Sequence, residues 1–199
     1  MIRVLHGEDE YSSSEALGKI RASAGPEEVR DANTTVFEGK SYKLADVIGA
    51  ARVVPFMADR RVVIVRGVLE RMQKRDKSLG NEWRDLTDLL RGVPASTDLV
   101  FVEQVNLRDN GLALKSVGPS ASVQQFQKKR RGELEAWVRD RFVHYGASPT
   151  RDAVARIAWL AGTDMRLLDQ EIRKLTLYAG DRDVTHDDVD LMVPDAREA

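Results

Sequence analysis

The chain contains no cysteine and only three histidines, at positions 6, 144 and 186. Disulfide bonds and thiolate chemistry are therefore excluded, and histidines so far apart argue against a histidine metal cluster. No apolar run approaches the roughly 18 residues of a membrane span, and the N-terminus lacks the basic start and apolar stretch of a signal peptide. We therefore expect a cytoplasmic protein with no metal or other cofactor.

Excess charge of either sign is also missing. The 31 basic and 32 acidic residues leave a net charge of -1, so no global field draws the protein to nucleic acid or membrane. Any contact with DNA must depend on a local patch or on partner proteins. Apolar residues make up 42% of the 199 positions and charged residues 32%, which is typical of a soluble globular protein of one or two domains.

The first two-thirds of the chain alternates strand and helix patterns. Two runs, residues 61–66 and 98–103, are apolar at successive positions, and a strand of this kind is buried on both faces of a parallel sheet. Further strands are predicted at 2–5, at 34–37 and, more weakly, at 123–126. Helices are predicted at 12–24, at 41–51 with Ser41 as N-cap, and at 83–91. Residues 67–80 are expected to form a mobile loop or a solvated helix. This order predicts an α/β domain with a parallel sheet and flanking helices, residues 1–130.

The pattern changes after about Lys128, where strand signals end. Apolar residues recur at helical spacing in four segments, 133–145, 151–161, 164–178 and 187–192. In the third segment Leu168 and Ile172 belong to the buried stripe, and Glu171 is expected to face elsewhere. We predict a small all-α helical-bundle domain, residues 131–199, joined to the first by a basic linker. An α/β domain followed by a small helical domain resembles the AAA+ plan.

A phosphate-loop position follows the first strand but lacks the residues that hold phosphate. A Walker loop would read G-x-x-x-x-G-K-[ST] from Gly7. Here Ser12 replaces the second glycine and Ser13 the lysine, and Ser14 ends the motif. The acidic run at 8–10 puts carboxylates where backbone amides would attract an anion. An ordinary acidic first turn of a helix is the alternative, and under either interpretation we expect no ATP hydrolysis here.

An apolar cluster at residues 53–57 precedes the buried strand predicted at 61–66. Its members Pro55, Phe56 and Met57 are large, and Asp59 and Arg60 follow them. Taken alone, such a cluster next to a buried strand is usually core. For Asp59 and Arg60 we expect a turn with a salt bridge that leads into the strand.

Three segments together resemble the delta subunit of the bacterial DNA polymerase III clamp loader. The first is the opening, residues 4–17, with GEDEY after a strand. The second, residues 53–65, is similar to the PFFSDRR element of the family followed by a buried strand. The third, residues 162–175, is similar to the family signature GxDxRxLxxELEKL. Their order and spacing across the chain make the resemblance specific.

The resemblance implies a role in DNA replication as a non-catalytic component of the DNA-directed DNA polymerase holoenzyme. The partners it implies are the β sliding clamp and the gamma/tau and delta prime subunits of the loader, with DNA reached mainly through the complex. Carried over residue by residue, Phe56 and Met57 are the anchors on the clamp, Pro55 stiffens the turn and Val54 flanks it. Met57 departs from the Phe or Leu of many relatives. Delta subunits carry a third, C-terminal collar domain, so we expect a fragment or an unusual member.

Two basic features have competing interpretations. The run Lys128, Lys129, Arg130 and Arg131 can contact DNA phosphate in a salt-sensitive way, although a charge run is usually a solvated face. An arginine at the position of Arg166 can sense the γ-phosphate in a functional AAA+ ATPase. Because no phosphate loop is present for it to serve, we expect capping and packing at this helix instead.

Two other classes of protein stay open at this point. A divergent P-loop ATPase or nucleotide kinase needs a lysine near the phosphates, which Ser13 cannot supply. A DNA-binding module of AAA+ descent needs steeply salt-dependent binding to DNA in the absence of any clamp.

Overall fold

Two compact units make up the chain, Met1–Gln127 and Lys128–Ala199. The computed structural model describes residues 1–39, 42–80, 83 and 86–194. Ser41, which was expected to cap a helix, lies outside these residues, as do positions 84 and 85 of the helix predicted at 83–91.

The first unit is built on a parallel sheet. Its strands are β1 (Ile2–Gly7), β2 (Thr34–Phe37), β3 (Arg61–Arg66), β4 (Thr97–Glu103) and β5 (Ser122–Phe126). All pairings are parallel and the order across the sheet is β2-β3-β4-β1-β5. In this register Val4 of β1 lies opposite Phe101 of β4 and Val123 of β5. The predicted parallel α/β class is confirmed, and the weakest strand signal belongs to the edge strand β5.

Helices cover both faces of this sheet, as the two-sided burial of β3 and β4 requires. They are α1 (Glu10–Ala22), α2 (Glu27–Arg30), α3 (Leu44–Ala51), α4 (Val68–Gln73), α5 (Leu86–Leu90) and α6 (Leu112–Ser116). On one face Ile64 belongs to the same buried cluster as Leu17 of α1. On the other face Val63 belongs to a cluster with Val47 of α3. Successive residues of β3 therefore point to opposite layers of helix.

The segment at residues 67–80 differs from its prediction as a mobile loop or solvated helix. It contains helix α4, whose Val68, Leu69 and Met72 are buried in the larger core cluster. The charged residues of the segment outnumber these apolar ones, so its composition suggested a solvated surface. The spacing of Val68, Leu69 and Met72 places these three apolar residues on one side of the helix, which is sufficient for their burial.

The second unit contains four helices within the described residues, α7 (Arg131–His144), α8 (Arg151–Leu160), α9 (Met165–Ala179) and α10 (His186–Met192). Phe142, Ile157 and Ile172 are fully buried in its core. Side-chain caps set where two of these helices begin: Thr150 accepts from the backbone N–H of Ala153, and Thr185 from that of Asp188. The predicted all-helical character of this region is therefore confirmed.

Candidate functional site

The most exposed apolar side chains of the first unit lie together in the loop between α3 and β3. We call residues 53–57 the apolar loop. Val54, Phe56 and Met57 are 81%, 58% and 77% exposed, and Pro55 is half-buried. The expectation of a core cluster, drawn from the residues alone, is therefore wrong. Large apolar groups held in solvent next to one another are typical of an interaction surface.

The start of the apolar loop is anchored at the C-terminal end of α3. The guanidinium of Arg61 donates to the carbonyl of Ala50 (Nε to O, 2.8 Å), and the hydroxyl of Thr97 donates to that of Ala51 (2.8 Å). Both donors are buried and both come from strands of the sheet. Carbonyl groups at a helix end have no partner within the helix, so these bonds satisfy them and fix where the helix stops.

A buried amide holds the far end of the apolar loop. Asn33, which precedes β2, accepts from the backbone N–H of Phe56 (2.7 Å) and donates to its carbonyl (2.8 Å). The next residue, Met57, has a φ of 48°, in the left-handed region that L-residues other than glycine seldom adopt. No local sequence motif distinguishes Asn33, so this contact was not predicted.

An ion-pair network follows the apolar loop. Asp98 of β4 is buried and accepts from Arg60 (Nε to Oδ2, 2.8 Å) and from Arg3 of β1 (Nε to Oδ1, 3.1 Å). Burial alone would raise the pKa of Asp98, but the hydrogen bonds from the two arginines hold it below its usual range. Arg60 therefore makes the expected salt bridge at the start of the strand, whereas Asp59 is exposed.

The phosphate-loop position is closed by the protein's own atoms. Helix α1 begins at Glu10, two residues earlier than predicted, because Asp9 caps it: one carboxylate oxygen accepts from the backbone N–H of Ser12 (2.9 Å) and the other from its hydroxyl (2.7 Å). Asp9 is also buried. Its carboxylate lies at the helix N-terminus, where a phosphate would lie in a Walker loop.

The remaining residues of this position carry no exposed cation. Gly7 has a φ of 136°, and a side chain there would lie 2.0 Å from the carbonyl oxygen of Phe126, so only glycine fits. Ser13 is buried and its hydroxyl has no hydrogen-bond partner, while Ser14 is exposed. The place of the Walker lysine is thus taken by a small side chain that faces the interior.

Beside this position, polar side chains at the carboxyl ends of the strands bond to one another. Asn106 donates to Glu8 (3.2 Å) and accepts from Gln125 (3.0 Å). The ring of His6 accepts from the backbone N–H of Leu107 (3.2 Å), and burial lowers the pKa of His6. In doubly wound folds, ligands bind in the crevice at the carboxyl ends of the strands. In this chain, the hydrogen bonds made by Asn106 and His6 cross that end of the sheet.

A charged cleft lies at the carboxyl ends of β3 and β4. Two of its cations are paired with neighbouring carboxylates, Arg71 with Asp76 (2.9 Å) and Lys74 with Glu70 (2.5 Å). Within the described residues there is no group of three or more His, Asp or Glu side chains that could hold a metal ion. Among those residues there is likewise no helix long and apolar enough to cross a membrane.

The basic run lies where the second unit begins. Lys128 and Arg130 are exposed and Lys129 is half-buried. The backbone N–H of Arg130 donates to Glu133 (2.8 Å) at the start of α7. The side chain of Arg131 lies outside the part of the chain that the structure describes.

Arg166 is exposed in the first turn of α9, and the cap of that helix is its neighbour Asp164. One carboxylate oxygen of Asp164 accepts from the backbone N–H groups of Arg166 and Leu167, each at 3.0 Å. Glu171 was expected to face away from the buried stripe, but it is buried and paired with Lys174. A long side chain at the edge of the stripe can bury its stem while its head reaches a partner.

The family of the chain follows from comparison with known proteins. Residues 4–127, more than half of the chain, match the family described as DNA polymerase III, delta subunit. The chain belongs to the DNA polymerase III delta subunit family. The matched region contains most of strand β1, the other four strands of the sheet, the closed phosphate-loop position and the apolar loop.

Individual relatives agree with this assignment. The chain is 24% identical over 192 residues to the DNA polymerase III subunit delta of Bacillus subtilis strain 168, covering 95% of the chain and 55% of that protein. The fold matches the Bacillus subtilis DNA clamp loader delta protein with a TM-score of 0.82 at 23% identity, covering 99% of the chain and 59% of that protein. The chain thus spans less than two-thirds of the length of either relative.

A more distant likeness agrees with the AAA+ type of fold. The Holliday junction branch migration motor RuvB of Thermotoga maritima matches with a TM-score of 0.55 at 12% identity, covering 96% of the chain and 60% of that protein. At this identity only the fold is comparable. The delta-family chain therefore has a parallel sheet and a following helical unit of the kind predicted from its sequence.

Proposed function

We propose that this delta-family chain acts in DNA replication by binding the β sliding clamp through its apolar loop, without hydrolysing ATP. The observation that carries the proposal is the exposure of Phe56 and Met57, 58% and 77%, on a loop whose backbone is held at both ends. Val54 and Pro55 complete the surface. As a subunit of the polymerase holoenzyme, the chain would contribute binding and no catalysis.

Anchored apolar side chains suit this role energetically. A few large groups that enter a pocket dominate most interfaces, each costing ~2–4 kcal/mol on truncation. A loop that is already ordered loses less conformational entropy on binding. Met57 adds a flexible, polarizable thioether that adapts to the shape of a pocket, which makes it a suitable replacement for an aromatic anchor.

The mechanism we propose for clamp opening is differential binding. If the apolar loop fits one protomer of the ring better when a neighbouring interface is sprung, binding shifts the ring towards its open state. ATP bound to the gamma/tau subunits would expose the loop within the assembled loader, which also contains delta prime. Hydrolysis by those subunits would release the clamp on primed DNA.

The absence of ATP chemistry in this chain is supported by the phosphate-loop position. A nucleotide phosphate there would meet the buried carboxylate of Asp9, which already accepts from the backbone and hydroxyl of Ser12. Like charges at short range repel, and Ser13 provides no compensating cation. A magnesium-dependent rise in melting temperature with ATP would instead favour the rival proposal of a divergent ATPase or nucleotide kinase.

The test of the clamp proposal is calorimetric titration of the chain with the sliding clamp of its own organism. We expect the double variant Phe56→Ala, Met57→Ala to lose affinity by roughly a hundredfold or more. The matched control is Leu177→Ala, Leu191→Ala, which removes two leucines of the second unit that are 77% and 70% exposed. Equal affinity for wild type and the Phe56, Met57 variant, with the fold intact by circular dichroism, would reject the proposal.

Direct DNA contact is a secondary proposal that rests on exposed Lys128 and Arg130. Each phosphate contact releases counterions, so affinity for DNA would fall steeply with added salt. Replacing both side chains with glutamine should reduce that salt dependence. Strong, salt-dependent DNA binding by the chain without clamp would support the alternative of a DNA-binding module of AAA+ descent.

A further inference from the structure

Asn33 is joined to the apolar loop by side-chain hydrogen bonds although it lies far from it in sequence. Its side chain is completely buried, with 0% exposure. The carboxamide oxygen accepts from the backbone N–H of Phe56 at 2.7 Å, and the amide nitrogen donates to the carbonyl of Phe56 at 2.8 Å and to that of Ala24 at 3.1 Å. Both backbone groups of an anchor residue are therefore held by one side chain.

The backbone of Asn33 is itself fixed on either side. Its N–H donates to the carbonyl of Val29 (3.2 Å), and its carbonyl accepts from the N–H of Val62 in β3 (2.9 Å). The carboxamide thus projects from a fixed point between α2 and the sheet. The carboxamide holds Phe56 to the core as a residue of one strand is held to its partner on the neighbouring strand, because an amide side chain presents the same donor and acceptor as a peptide group.

These bonds bear on the conformation of the anchors. With both polar groups of Phe56 paired, the direction in which its ring leaves the backbone is fixed. The following residue, Met57, keeps a φ of 48°, and a strained conformation of this kind persists only where the surrounding structure determines it. The hydrogen bonds from Asn33 hold the backbone of Phe56, the residue immediately before Met57.

We infer that Asn33 is a positioning residue for partner binding: its carboxamide holds Phe56 and Met57 in the geometry that enters the partner. The inference rests on the proposed function of the apolar loop. Asn33 is fully buried and cannot touch a partner directly, so its effect is on the fraction of molecules whose loop is ready to bind. Other small side chains cannot replace it, since alanine offers no polar group and aspartate only accepts.

One measurement tests the positioning without any partner. Hydrogen exchange of the Phe56 amide, followed by NMR, should be at least tenfold faster in Asn33→Ala than in the wild type, because the bond to the carboxamide is lost. The Val62 amide, which donates to the backbone carbonyl of Asn33, is the internal control and should stay protected. Unchanged exchange at Phe56, or equal loss of protection at both amides, would overturn the positioning role.

The second measurement separates positioning from contact by the kinetics of clamp binding. Loss of ordering lowers the competent fraction and so the apparent affinity. For Asn33→Ala we expect the association rate to fall roughly fivefold to twentyfold with a smaller change in dissociation. Phe56→Ala should act mainly on dissociation, as contact mutations do. Asn106→Ala is the matched control, since that asparagine also joins two segments by its side chain but lies elsewhere.

The outcomes distinguish this inference from the function on which it rests. If Phe56→Ala weakens binding but Asn33→Ala leaves both rates unchanged, the positioning role is wrong and the clamp proposal stands. If neither Phe56→Ala nor Met57→Ala weakens binding, the clamp proposal is wrong. Should Asn33→Ala fail to fold, Asn33→Asp keeps the acceptor for the Phe56 amide and loses both donated bonds. That variant should slow association less than a complete loss of the side-chain bonds, and wild-type association rates in it would overturn the inference.

Discussion

At the scale of single residues, Met57 combines backbone strain with an exposed side chain. Its backbone φ is 48°. Among the described residues other than glycine, Arg75 also has a positive φ, of 54°. For an L-residue this conformation costs about 1–2 kcal/mol, which glycine avoids at some cost in chain entropy. We predict that Met57→Gly raises the free energy of unfolding by about 0.5–1 kcal/mol and lowers clamp affinity at least tenfold.

Arg75→Gly is the control for this prediction. It relieves the same kind of strain at a position away from the apolar loop, so urea denaturation should show a similar gain in stability while calorimetry shows unchanged clamp affinity. A gain in stability without loss of affinity in Met57→Gly would mean that the side chain of Met57 is not an anchor.

A buried carboxyl group makes stability depend on pH. Both oxygens of Glu103 accept backbone N–H groups, from Leu69 (2.8 Å) and Glu70 (3.0 Å), yet burial raises its pKa from 4.5 to about 7. The folded chain therefore binds more protons than the unfolded chain between these values. The stability that this proton contributes is fully present below about pH 4.5 and is lost as the pH rises through about 7.

We predict that the contribution of Glu103 to the free energy of unfolding falls by roughly 2 kcal/mol between pH 5 and pH 8. Urea denaturation across this range should show a less steep loss in Glu103→Gln than in the wild type. His6, whose pKa burial lowers, titrates in the opposite sense, so its own contribution to stability rises with pH. Parallel pH profiles for the two proteins would contradict the prediction.

At the scale of elements, the first turn of α1 depends on Asp9. Its carboxylate accepts from the backbone N–H of Ser12 and from the Ser12 hydroxyl. We predict that Asp9→Ala lowers the free energy of unfolding by about 1 kcal/mol, the usual cost of losing an N-cap. Asp9→Asn, which keeps an acceptor, should cost less, and Ser12→Ala removes only the hydroxyl bond. If thermal denaturation ranks Ser12→Ala below Asp9→Ala in stability, the backbone bond is not the main contribution of the cap.

The elements differ in how far the sequence could predict them. Strands β3 and β4 were predicted closely because burial on both faces requires apolar residues at successive positions. The start of α1 was misplaced because Asp9 and Ser12 are both good N-caps, and only the folded chain shows that the aspartate is used. The burial of helix α4 was missed because its charged residues obscure the few apolar ones that reach the core.

The candidate site was less predictable than the fold. The importance of Phe56 and Met57 came from the family resemblance, whereas their local pattern favoured the core. Their exposure depends on bonds from Arg61, Thr97 and Asn33, which belong to other elements. Asn33 is 23 positions from its partner Phe56, and no local pattern reports a hydrogen bond over such a separation.

At the scale of the whole molecule, the bonds that hold the apolar loop all lie within one compact unit. The three residues that make these bonds, Asn33, Arg61 and Thr97, belong to Met1–Gln127. The carbonyls of Ala50 and Ala51, which accept from Arg61 and Thr97, belong to the same unit. That unit also contains a complete sheet with helices on both faces. Among the described residues, the core clusters that contain Val63 and Ile64 are formed by side chains of this unit.

We therefore predict that the fragment Met1–Gln127 folds alone and binds the sliding clamp within about threefold of the affinity of the full chain, since the hydrogen bonds that hold the apolar loop all lie within this fragment. Circular dichroism and calorimetry on the fragment test the two statements in turn. In the fragment, Phe56→Ala and Met57→Ala should weaken binding by the same factors as in the full chain. A folded fragment that does not bind the clamp, while the full chain does, would place part of the binding surface in the helical unit.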